Sequence, residues 1–149
     1  MATKLHPAKL ALLALLEAVT WPGANQPEVR YGQPTEGEDA PFRGEMIFLG
    51  ESRAASDQVG PQRRDETFNL RLVVDVRSEG DDEQSTEARA WELANAAEAA
   101  VWADHPNPLG GNLNRIPRIE MTQVNVPEPQ AWRTQIVVDV ECVSALTNA

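Results

Sequence analysis

Two long stretches of strict alternation constrain this chain more than anything else in it. From Phe68 to Arg77 the apolar residues Phe68, Leu70, Leu72, Val74 and Val76 alternate with Asn69, Arg71, Val73, Asp75 and Arg77. Near the C-terminus Ile136, Val138, Val140 and Cys142 alternate with Gln135, Val137, Asp139 and Glu141. A period of two places each set on one face of a strand. Buried parallel strands read as continuous apolar runs, so alternation this clean predicts an antiparallel sheet covered on one side. The second face carries ionic residues, with Val73 and Val137 among them, and is expected to be wet or to meet another subunit.

Between the two strands lies the segment that covers them. Asp81, Asp82 and Glu83 open it, where negative charge favours a helix N-terminus. Ala90, Leu93, Ala94, Ala97, Ala100 and Val101 then gather on one face, and their small size permits close approach to a sheet. Trp91 and Trp102 stand eleven positions apart, close to three turns, so they share a face on the flank of that stripe. Large aromatics there suit a subunit interface, and cover by loops of the same chain is the competing expectation.

The remaining elements follow in order. Pro7 suits a first helical turn, and Leu12, Leu15, Leu16 and Val19 continue at helical spacing. Leu10 and Leu13 widen that stripe, which predicts burial on more than one side, by the domain or by a neighbour. Lys4 and Lys9 before Leu10–Leu16 loosely resemble a signal peptide, but Glu17 interrupts the run and no cleavage site follows. The run is also too short to span a membrane. Trp21-Pro22-Gly23 ends the helix. Residues 22–44 are rich in Pro and Gly and read as loop, with a short strand at Glu28-Val29-Arg30-Tyr31. Glu45–Gly50 reads as a strand, and Glu51–Arg63, polar and containing Gly60-Pro61, as a long exposed hairpin loop. Asn114–Val126 is a further strand, with Pro117 predicting an edge position or a bulge. It forms a hairpin with residues 132–146.

Charge and chemistry narrow the function classes. The net charge of −10 argues against nucleic-acid binding, which needs clustered Lys and Arg. At 149 residues the chain fits one domain, 1–149, and buries roughly 68–70% of its unfolded surface, enough to fold unaided. The single cysteine, Cys142, excludes an internal disulfide and falls on the apolar register as a small buried hydrophobe. His6 and His105 have no companion at metal-ligand spacing. No phosphate loop, dinucleotide fingerprint or nucleophile elbow is present. Glu36-Gly37-Glu38-Asp39 lacks the spacing of a calcium loop, and helix capping accounts for Asp81-Asp82-Glu83 without a metal. The expectation is no catalysis, no metal and no cofactor.

The order of elements and the style of the residues then resemble a known family. A leucine-rich helix is followed by EMIFLGE, by RRDETFNLRLVVDV, by an acidic turn and the helix ARAWELANAAEAAVW, by the NPLGG turn, and by the closing strand TQIVVDVECVSAL. Over roughly residues 8–146 this is similar to the tail terminator proteins of long-tailed bacteriophages, the U-like minor tail proteins. The resemblance implies an α+β fold, a mainly antiparallel sheet packed against two α-helices with long loops. It also implies a structural virion protein in the neck region, assembled in the host cytoplasm as a hexameric ring. Such a ring caps the head-proximal end of the tail tube, stops polymerisation and meets the head-tail connector or head-closure protein, while DNA passes through without specific binding. On that reading Trp91, Trp102 and Leu13 are candidate subunit contacts, since cyclic contacts of one surface with a different one close a ring. Glu36, Glu38, Asp39, Asp81 and Asp82 are candidate channel-lining carboxylates that repel phosphate. Two alternatives stand beside it. One is another neck protein, for head closure or tail completion. The other is a small-molecule-binding α+β domain, for which a deep pocket with convergent polar groups should exist. Arg71, Asp75, Arg77, Asp139 and Glu141 would supply the polar groups of such a pocket, and cross-strand ion pairing is the simpler use for them.

Overall fold

The computed structural model describes residues 3–32, 44–60, 63–80 and 82–147, with backbone alone at 56–60, 63 and 146–147. Its elements in chain order are α1 (Leu5–Glu17), β1 (Glu28–Arg30), β2 (Gly44–Leu49), β3 (Arg53–Gly60), β4 (Arg63–Ser78), α2 (Glu83–Ala103), the short helical turn α3 (Pro108–Gly111), β5 (Arg118–Asn125) and β6 (Trp132–Thr147).

The two alternating stretches are the centre of the molecule. β4 and β6 pair antiparallel along their whole length, from Arg63↔Thr147 to Ser78↔Trp132, without a bulge. The pairing sets Phe68 opposite Cys142, Leu70 opposite Val140, Leu72 opposite Val138 and Val74 opposite Ile136. Residues opposite one another share a face, so both alternations fall on the same side, and all eight side chains are buried. α2 lies across β4 and β6 on that side through Ala90, Leu93, Ala94, Ala97 and Val101. α1 adds Ala8, Leu12 and Leu16 to the same core cluster. The α+β architecture expected from the sequence is the one that forms, a six-stranded and mostly antiparallel sheet with helices on one face.

Flanking strands cover the centre unequally. One half of the sheet has the order β1-β2-β4-β6-β5. β1 pairs with β2 in parallel, the one parallel pair among the described strands. β5 stands at the edge and forms the expected hairpin with β6. Its first residue is Arg118, directly after Pro117, so the strand is shorter than residues 114–126. In the other half β3 takes the place of β2 along the same side of β4, and β5 does not extend past Glu141. That half is a three-stranded arm, β3-β4-β6.

β3 overturns one expectation. Glu51–Arg63 is not a long loop. Residues 53–60 are a strand that pairs with β4 from Arg53↔Asn69 to Gly60↔Arg63, with a register shift near Gly60. RAASDQVG has no apolar period, and Arg53, Ala54 and Ala55 are exposed. The neighbouring edge of β4, not burial, makes it a strand.

β2 shows the opposite relation between pattern and burial. Ile47 and Leu49 face the helices, while Met46 and Phe48 join Val73 in a separate buried cluster on the open face. Burial on both faces is why MIFL reads as an unbroken apolar run. No helix among the described residues is long and apolar enough to cross a membrane.

Candidate assembly surfaces

The open face of the sheet carries the ionic residues that the alternation placed there, and they pair with one another. Asp75, 2% exposed, accepts two hydrogen bonds from the Arg133 guanidinium, at 2.9 and 2.6 Å, and one from Gln135 Nε2 at 3.1 Å. Arg133 Nη1 reaches Glu128 at 3.1 Å, and Glu128 accepts from Arg77 Nε at 2.5 Å. Arg77 continues to Glu79 at 3.1 Å. A buried carboxylate needs this kind of bidentate partner to remain charged. The hydrogen bond to Asp75, above all, holds the Arg133 pKa above the ordinary arginine value. The hydrogen bond from Arg77 holds the Glu128 carboxyl below the usual carboxylate range, with Arg133 acting in the same direction. Further along, Arg71 Nε and Asn69 Nδ2 both donate to Asp139 Oδ1 at 3.1 Å.

This pairing bears on the small-molecule reading. The open face has a shallow, open groove of about 550 Å³, with Arg53, Asn69, Arg118, Glu120, Asp139 and Glu141 among its lining residues. It is not a deep pocket. Asn69 Nδ2 is engaged with Asp139, while the buried Asn69 Oδ1 has no hydrogen-bond partner among the described residues. Among the described residues no group of three His, Cys, Asp or Glu side chains is placed to hold a metal ion. Cys142 is fully buried, and burial pushes its thiol pKa up to about 12, helped by Glu141.

The two helix tryptophans share a face and not an environment. Trp91 packs against the core, and its Nε1–H donates to Gln123 Oε1 on β5 at 2.7 Å. Trp102, one residue from the end of α2, is 52% exposed. Leu13 is half-buried against the core, whereas Leu10 on the same helix is 46% exposed. Of the candidate channel-lining carboxylates only Asp82 lies within the described residues; Glu36, Glu38, Asp39 and Asp81 lie outside them. Asp82 is the N-cap of α2, accepting from Ser85 N–H at 2.7 Å. That backbone hydrogen bond lowers its pKa, as capping of a helix N-terminus does.

Two anchoring residues were not singled out from the sequence. Arg89 leaves α2 to hold Glu45 of β2 with two hydrogen bonds, at 2.5 and 2.9 Å, and the carbonyls of Pro22 and Asn25 at 2.5 and 2.9 Å. It ties helix, sheet and the α1–β1 connection together. Gly23 sits beneath it at φ +93, where a Cβ would meet Arg89 Nη1 at 3.0 Å. Glu66, 4% exposed on β4, accepts from Lys4 N–H at 2.7 Å and from Thr3 Oγ1 at 2.5 Å. It thus fixes the start of α1. The one available signal for Glu66 is its even position, in phase with Phe68 and Leu70. Arg89 gave no signal for the clamp, because Glu45, Asn25 and Pro22 lie 44 or more positions away; only its pairing with Glu92, three positions on, is local.

Comparison with known proteins adds little. No family model matches the sequence, and no curated protein matches it. Among solved structures, the chain is similar to one from the "Virion of native gene transfer agent (GTA) particle" at 18% identity and a TM-score of 0.48, covering 89% of this chain and 84% of that one.

Proposed function

We propose that this chain is a non-catalytic structural subunit of a phage-type virion, a tail terminator that forms a ring on the head-proximal end of the tail tube. The sequence resemblance supplies the specific role. The observation that carries the assembly reading is Trp102, which stands 52% exposed at the end of the main helix. Tryptophan is among the residue types enriched at interface hot spots. The paired charges and shallow groove of the open face favour this reading over a small-molecule site. On this reading the partners are further copies of the chain, the tail tube protein and the head-closure or connector protein. DNA passes through the ring without specific contacts.

Mass measurement in solution and on purified particles tests it. The expected result is a ring-sized species, in solution or in the particle. A chain that remains monomeric at every concentration and is absent from particles overturns it. Binding to isolated tail tubes, and not to filled heads, separates a terminator from a head-closure protein.

A further inference from the structure

The three-stranded arm has two free edges, and we propose that they join: β3 of one copy pairs in parallel with the C-terminal part of β6 of the next. This proposal rests on the ring reading above and specifies its subunit contact.

The backbone phase identifies which groups are free. Val143 C=O accepts from Asn114 N–H, and Arg133 C=O from Val126 N–H, both on the side of β6 away from β4. The β4–β6 register is uniform, so every odd residue of β6 directs its N–H and C=O away from β4. β5 uses those groups only as far as Glu141. Beyond it the Val143 C=O is taken by Asn114 N–H, and Ala145 and Thr147 present outward backbone that no described strand pairs. On the opposite side, Arg71 C=O accepts from Gly50 N–H, so odd residues of β4 face β2 and β3. Arg53, Ala55 and Asp57 stand opposite Asn69, Thr67 and Asp65 and bond to them. The even residues Ala54, Ser56 and Gln58 therefore direct their backbone groups outward, and no described strand pairs with them.

Exposed edges invite pairing, and chains that must avoid it place charge or proline there. The free part of β6, Ser-Ala-Leu-Thr, has neither. β3 has no proline, and its one arginine and one aspartate cancel. The edges fit each other in three respects. They lie on opposite sides of one arm, so a single rotation satisfies both and the contact is head-to-tail. Both are short, eight residues on β3 and four from Ser144 to Thr147 on β6, beyond the Asn114–Val143 hydrogen bond. Both strands run antiparallel to β4, so the pair formed between copies is parallel throughout the ring. Two different edges on the same chain, matched in this way, favour a second copy over an unrelated partner.

Proline substitutions test this with little effect on the monomer. Ala145→Pro and Ser56→Pro each remove an outward N–H that no described strand uses, a position where an edge strand tolerates proline. Each is expected to abolish assembly or raise its midpoint concentration by roughly tenfold or more, with the far-ultraviolet circular dichroism of the monomer unchanged. Ala145→Gly keeps the N–H and assembles as the parent does. Backbone amide exchange on the unmodified protein gives a readout independent of any variant: residues 53–60 and 144–147 gain protection on assembly. If the parent assembles while the proline variants assemble equally well, or while neither segment gains protection, the strand pairing is wrong and the ring reading stands. If the parent is monomeric at every concentration and absent from particles, both fail.

Discussion

Trp91 and Trp102 show how far residue identity alone carries an argument. Helical spacing places both on one flank of α2, but only the structure brings Gln123 to Trp91 and leaves Trp102 half-exposed. Separate consequences follow. Trp102→Ala is expected to weaken assembly at little cost to the fold, checked by sizing and thermal denaturation of the same sample. Trp91→Ala is expected to destabilise the monomer by roughly 2–4 kcal/mol, as loss of a part-buried aromatic does, read from a denaturant midpoint. Equal effects of the two on folding would place Trp102 inside the monomer's own packing. Cys142 was legible outright, from its position in the alternation. Buried, and with its thiol pKa pushed up to about 12, it is expected to resist thiol reagents at pH 8 in the folded chain and to react fully in denaturant. Glu128 was not legible, since neither Arg77 nor Arg133 is marked as its partner by spacing. Its folded pKa lies below the ordinary 4.5. A depressed carboxylate contributes stability above its unfolded pKa and loses it as pH falls through the folded value. Denaturant midpoints of the parent should therefore drop between pH 5 and the folded pKa, and Glu128→Gln should flatten that part of the profile.

At the scale of elements, the helices and the two long strands were legible because their signals are local. Period two fixes a strand face, a spacing of three to four fixes a helix face, and Asp82 marks where α2 begins. β3 was missed because its signal is not local. A polar eight-residue segment becomes a strand when an unpaired edge of β4 lies beside it, and nothing in RAASDQVG encodes that edge. The joining of elements is likewise a tertiary property. Arg89 bridges α2 to Glu45, Pro22 and Asn25. Arg89→Ala leaves the half-buried Glu45 carboxylate and two carbonyls without these partners. We expect a loss of about 1–3 kcal/mol, reduced from the fully buried case because the site is partly solvated. Amide exchange across β1 and the α1–β1 connection should rise more than across β6. An even change along the whole chain would mean that the contact is not a local clamp.

For the whole molecule, the α+β class, the antiparallel centre, the buried face of each long strand and the helix that covers them were legible in the chain alone. These follow from periodicity, and periodicity is a property of neighbours along the chain. The resemblance to tail terminators came from the same source, the order and style of the elements. The remaining features depend on residues far apart in sequence coming together. The ionic side chains of the open face pair with one another around a buried Asp75. Trp91 is partly buried against the core, and Trp102 is 52% exposed. β6 outruns β5, and among the described strands the arm β3-β4-β6 has two unpaired edges. No local pattern records where a neighbouring strand stops, because the hydrogen-bonding groups of an edge are the same backbone groups that every residue carries.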